Sequence, residues 1–126
     1  MDIKKPYWLR IEDLLSSILS ALSAQMGRAT VTFATNTGTT LFSIPAGKTV
    51  VLSVVRVVEA WDQAGATFDI GWAADPDGLF DGTDLTVEGP ISNGTPFTFT
   101  TQTNIIVTTN HAGSVEGEAE VLVEYV

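Results

Sequence analysis

A run of fourteen residues, Lys48 to Trp61 (KTVVLSVVRVVEAW), constrains the fold of this chain more than any other stretch. Six of the fourteen are valine, and β-branched side chains lose rotamer freedom in a helix but pack well on a pleated surface. Apolar residues occupy both alternating faces. Val50, Leu52, Val54 and Val58 fall with Arg56, while Val51, Val55, Val57 and Trp61 fall with Ser53 and Glu59. That pattern predicts a central strand covered on both sides. The Pro45-Ala46-Gly47 turn before it punctuates its entry.

At 126 residues the chain is one domain with a real core. Seventeen threonines support a β-rich fold. There is no cysteine, which removes thiol catalysis and Cys-ligated zinc and leaves stability to packing or assembly. Charge is unevenly spread: residues 1 to 28 carry four cations and three carboxylates, and the remainder two cations and twelve carboxylates, a net of −10. A body this acidic repels phosphate backbones, so no nucleic-acid partner is expected.

The N-terminal segment imitates a signal peptide, with Lys4 and Lys5 ahead of LLSSILSAL. However, Glu12 and Asp13 stand directly before the apolar run, where a signal is basic or neutral, so a retained segment is expected. No uncharged apolar run reaches the ~18 residues of a membrane span. Trp8, Ile11, Leu14, Leu15, Ile18, Leu19 and Leu22 recur at helical spacing opposite Arg10, Asp13 and four serines. This predicts an amphipathic helix from Leu9 to a C′ glycine at Gly27. Its serine-rich polar face argues against a membrane surface. In heptads Trp8, Leu15 and Leu22 take position a and Ile11 and Ile18 take d, a choice that favours trimers or tetramers over dimers. Trp8, Ile11, Leu15, Ile18 and Leu22 are therefore the candidate oligomer or docking contacts. Packing on the chain's own β domain is the plainer use of the same helix. The division is an N-terminal helical segment, 1–28, and a β-sandwich domain, 29–126.

Downstream, TVTFAT (Thr30 to Thr35) and TTLFSI (Thr39 to Ile44) flank Asn36-Thr37-Gly38 and suggest a hairpin. The core strand follows, then ATFDIGW (Ala66 to Trp72), whose Phe68, Ile70 and Trp72 share an apolar face. Residues 74–84 (ADPDGLFDGTD) and 89–96 read as loops, with a short strand over 84–88. Strands over 97–100, 104–109 and 114–126 complete the chain, the last with glutamates on one face and Val115, Ala119, Val121, Val123 and Tyr125 on the other. About eight strands with frequent turns predict a mainly β fold, an antiparallel sandwich or jelly roll preceded by one helix.

Four carboxylates, Asp75, Asp77, Asp81 and Asp84, could offer a calcium ion several oxygens. The spacing fails the EF-hand pattern, and turn chemistry explains the residues as well, so no metal and no cofactor are expected. His111, the sole histidine, reads as a solvated turn residue that can form neither a multi-His site nor an identifiable catalytic dyad. Paired-carboxylate glycoside hydrolysis needs two acids across a cleft, and nothing in the chain singles out a pair. Phe80, apolar on an acidic stretch, either folds back onto the sandwich or inserts into a partner. With Asn93 at a loop tip it forms a candidate recognition surface.

From Val50 to Gly89 the residues Val57, Glu59, Ala60, Asp62, Thr67, Gly71, Ala74, Asp75, Pro76, Asp77, Gly78, Thr83, Asp84, Leu85 and Gly89 make up a pattern. It resembles the β-sandwich modules of tailed-bacteriophage virion proteins, such as head decoration and fibre or tail-associated proteins. The resemblance implies a non-enzymatic component of the virion exterior, made in the host cytoplasm without a signal peptide. It would act as a homotrimer docked on a capsid or tail protein. A fibre-tip module binding a receptor or glycan through residues 73–84 and 89–96 is the alternative.

Overall fold

The computed structural model describes residues 25–126. The helix expected over residues 9–26, and the contacts assigned to Trp8, Ile11, Leu15, Ile18 and Leu22, thus fall outside the described residues except at Gln25 and Met26. Nine strands form: β1 (Gln25–Thr32), β2 (Thr39–Ile44), β3 (Thr49–Glu59), β4 (Thr67–Trp72), β5 (Asp75–Asp84), β6 (Gly89–Asn93), β7 (Phe97–Thr98), β8 (Thr103–Asn110) and β9 (Glu118–Tyr125). They make two antiparallel sheets, one ordered β1-β9-β3-β6 with β7 also on β3, the other β2-β8-β4-β5. Apart from the β4–β5 pair and the two-residue β7, the chain alternates between sheets in the winding of a jelly roll. Val31, Val55, Val121 and Val123 from one sheet meet Ile44, Phe68, Ile70, Ile105 and Val107 from the other in a sealed core.

β3 is paired on both edges, to β9 on one side and to β6 and β7 on the other. Ser53, Val55 and Val57 point inward, as alternation requires. A register shift between Val50 and Leu52 turns Val50 inward as well, against simple alternation. The expected cover on both faces is corrected: Val51, Arg56 and Val58 are exposed, and Leu52 and Val54 are half-buried on the outward side. A sandwich supplies one opposing sheet, so only one face of each strand meets it.

The expected hairpin of Thr30–Thr35 with Thr39–Ile44 does not form. β1 pairs with β9 and β2 with β8, and the turn between them crosses from sheet to sheet. Local turn chemistry could not distinguish the two, because the turn closes its own bond either way, Thr39 N–H donating to the Asn36 carbonyl; the Gly38 N–H goes to the Val107 carbonyl of β8. Gly27 is likewise no helix cap. It lies in β1 opposite Val123, and the ring of Phe42 occupies the place where its side chain would be. Residues 25–28 thus belong to β1.

Residues 74–84 and 89–96, read as loops, contain β5 and β6, whereas the short strand expected over 84–88 is a connection. β5 escapes sequence recognition because two register shifts against β4, between Phe68 and Ile70 and between Ile70 and Trp72, break its alternation. Gly71 permits this irregular pairing, since a Cβ there would strike the carbonyl groups of Asp75 and Pro76. Gly71→Ala is expected to cost about 1–3 kcal/mol through displaced backbone. Gly94→Ala, where the added methyl meets open space, should stay within about 0.5 kcal/mol. Urea unfolding of the two variants measures the contrast.

Candidate functional site

The pattern residues Glu59 and Asp62, with Trp61 between them, lie at and just beyond the end of β3 and hold the segment between β8 and β9, about fifty residues away in sequence. One Asp62 carboxylate oxygen accepts the backbone N–H of Val115 at 2.9 Å and of Glu116 at 3.4 Å. Glu59 accepts the N–H of Gly117 at 3.0 Å, and the Ser114 hydroxyl accepts the N–H of Gln63 at 3.2 Å. Gly117 lies flat on the Trp61 indole, where any side chain would collide with the ring. Glu59 thereby clamps the segment ahead of β9.

His111 is not a solvated turn histidine. The Trp61 indole N–H donates to its Nδ1 at 3.1 Å, and its Nε2 stands 2.6 Å from the Thr35 carbonyl oxygen. Nδ1 accepts, so the proton sits on Nε2, which donates to Thr35. One ring thereby joins three connections at the same end of the sandwich.

The four aspartates are dispersed along β5. Asp75 pairs with Trp72 at one end of the strand and Asp84 with Thr67 at the other. Asp75 and Asp77 hydrogen-bond to one another, and that bond, more than desolvation or mutual repulsion, raises the Asp75 carboxyl above its ordinary range. Asp84 turns to the hydroxyl and N–H of Thr86, which hold it below that range. Among the described residues no three His, Asp or Glu side chains gather as metal ligands. Phe80 folds inward beside Leu79 and is 6% exposed. Asn93 uses its amide to cap the Leu79 carbonyl at 2.8 Å and the Thr95 N–H at 3.0 Å. Neither forms a projecting recognition tip.

Two surfaces remain. At the end of the sandwich where β1 begins, Trp72, Phe97 and Phe99 pack with ring centroids 4.7–4.8 Å apart, and Phe97 is 43% exposed. Shallow grooves of ≈ 350 and ≈ 230 Å³ flank this cluster, lined otherwise mainly by threonine and alanine, with Gln102 and Asn104. The outward face of the five-stranded sheet is the second surface. Register places Arg28, Leu122, Val54 and Ser92 in one row and Thr30, Glu120, Arg56 and Pro90 in the next. Arg28 and Arg56 both reach Glu120, at 3.8 and 3.7 Å. These exposed pairs contribute about 0–1 kcal/mol each.

No family model matches the chain, and no curated protein matches it. Solved structures do. A chain in the acidic stable capsid structure of Helicobacter pylori bacteriophage KHP30 is 17% identical, with a TM-score of 0.68 over 81% of this chain and 86% of that one. The cyanophage Pam1 capsid asymmetric unit contains one 19% identical, TM-score 0.68, over 82% and 84%. The capsid of Ralstonia phage GP4 contains one 17% identical, TM-score 0.58, over 82% and 84%. The fold is shared with chains of nearly equal length in three phage capsids.

The clamp carries a pH signature. Asp62 is held below its ordinary range mainly by the Val115 N–H, so its contribution is present above the unfolded value of about 3.9 and fades as pH falls through the lower folded value. Asp75 is raised, so its favourable contribution belongs to acid and is lost as pH rises through its folded value. Melting curves should therefore show Asp62→Ala lowering Tm at pH 7 and converging with wild type in acid. Asp77→Asn should instead raise Tm at pH 7 and lose that advantage in acid.

Proposed function

We propose that the chain is a non-enzymatic structural protein of a tailed-phage virion. It would be a decoration or cement-type module docked on the particle exterior as a homo-oligomer, with three copies the expected number. The observation that carries this is the fold, shared over 81–82% of the chain with constituents of three phage capsids. Two further features support the finer reading. A body with a net charge of −10 beyond residue 28 suits the outside of a shell whose interior holds phosphate. Attachment through several copies converts weak contacts into firm ones. The receptor- or glycan-binding alternative loses Phe80 as a contact, because that side chain is buried, while residues 73–77 and 94–96 of the segments it would use are exposed.

Purified particles of the parent phage test the role. The protein should be present in regular stoichiometry and accessible to antibody on intact virions, and particles lacking it should release DNA at a lower temperature. Absence from purified virions would reject the proposal. Light scattering of the isolated full-length chain should give three times the monomer mass; a monomer would reject the trimer while leaving the virion role standing.

A further inference from the structure

Three Asp or Asn side chains stand directly before a glycine, in Asp77-Gly78, Asp81-Gly82 and Asn93-Gly94. A glycine has no Cβ to keep its nitrogen away from the preceding side-chain carbonyl. The fold closes two of the three. Gly78 is packed under the Trp72 ring, where an added methyl would collide. The Gly82 N–H donates to the Asp69 carboxylate at 2.6 Å, which occupies that nitrogen. Gly94 differs: it is exposed in the connection after edge strand β6, and the place of a side chain on it is open space. Its N–H has no hydrogen-bond partner among the described residues.

We propose that Asn93 is a site of spontaneous deamidation, and that its conversion to aspartate or isoaspartate loosens the β6 edge of the five-stranded sheet. The Asn93 side-chain carbonyl accepts the Thr95 N–H at 3.0 Å, a turn that folds the side chain back over the Gly94 peptide. The same N–H faces the oxygen on which negative charge develops as the Gly94 nitrogen attacks Cγ. That nitrogen bonds to Cγ and gives up its proton, the side-chain nitrogen leaves as ammonia, and a succinimide ring remains. Water opens the ring at either carbonyl. Opening at Cγ yields aspartate; opening at the backbone carbonyl yields isoaspartate, whose main chain is one methylene longer. Both products lose the same tie. The Asn93 amide N–H donates at 2.8 Å to the carbonyl of Leu79, a residue 4% exposed. A carboxylate has no proton to donate, so it either opposes that carbonyl or turns away and leaves it unpaired. Isoaspartate also displaces the last pair of the β3–β6 ladder, Ser53 with Asn93.

Peptide mapping by mass spectrometry of the full-length protein, held warm at mildly alkaline pH, tests this. The mass gain of exchanging NH2 for OH should accumulate at Asn93 ahead of Asn36, Asn104 and Asn110, with isoaspartate among the products. Gly94→Ala should slow the reaction several-fold, since the added methyl hinders the approach while meeting only open space in the folded chain. The deamidated fraction, separated by its added negative charge, should melt about 3–6 °C below the intact protein, the shift expected from losing one hydrogen bond in a domain of this size. Asn93→Asp should melt lower than wild type for the same reason. Equal rates at Asn93 and the other asparagines, an unchanged rate in Gly94→Ala, or coincident melting of the two fractions would each overturn the proposal. The virion role is read independently from purified particles.

Discussion

Strand β3 keeps its place because both its edges are hydrogen-bonded and its inward face is sealed by the opposite sheet. A central strand that lost either edge would bury unpaired peptide groups, each costing on the order of 1–3 kcal/mol. The pairing is therefore made by strands from remote parts of the chain, β9 from the C-terminal end and β6 and β7 from the middle. Ser53 shows how tightly the site is committed to packing: its hydroxyl is buried in the core and has no hydrogen-bond partner among the described residues. The valine-rich composition of the strand is what makes that arrangement stable without disulfides.

The residues that carry the resemblance to phage virion modules include joinery at both ends of the sandwich. Glu59 and Asp62 bind the backbone before β9, and Trp61 is packed beneath Gly117. Leu85 is fully buried, accepting the Trp61 N–H and donating to Ala66, while Gly71 admits the start of β5. A motif of this kind identifies a fold by its constraints. It encodes turns and close approaches, which explains why it contains no reactive constellation and why fold comparison carries the functional proposal.

Much of the sheet pattern was legible from local alternation. Phe68, Ile70 and Trp72 are inward, as are Ala119, Val121 and Val123, because regular strands place every second side chain on one face. Alternation failed where the ladder is irregular, at Val50 and throughout β5, and where the chain leaves the sheet, as at Val115, which is 67% exposed. The candidate site was less legible. Asp75 to Asp84 looked like one carboxylate cluster because ten residues are close in sequence, but an extended strand separates its ends. His111 looked isolated because its partners, Trp61 and Thr35, are 50 and 76 residues away.

By itself the sequence determined the β class, the strongly acidic body and the amphipathic pattern of the first two dozen residues. Each follows from composition or from a period of 2 or 3.6 that needs no distant partner. Only the tertiary structure decided which strands share a sheet, that β1 and β2 do not pair, and which face of β3 is buried. It also decided that Glu59, Asp62 and His111 bind neighbouring segments of the chain. Those outcomes depend on contacts between segments tens of residues apart, and hydrogen-bond geometry across such gaps leaves no local trace in the chain.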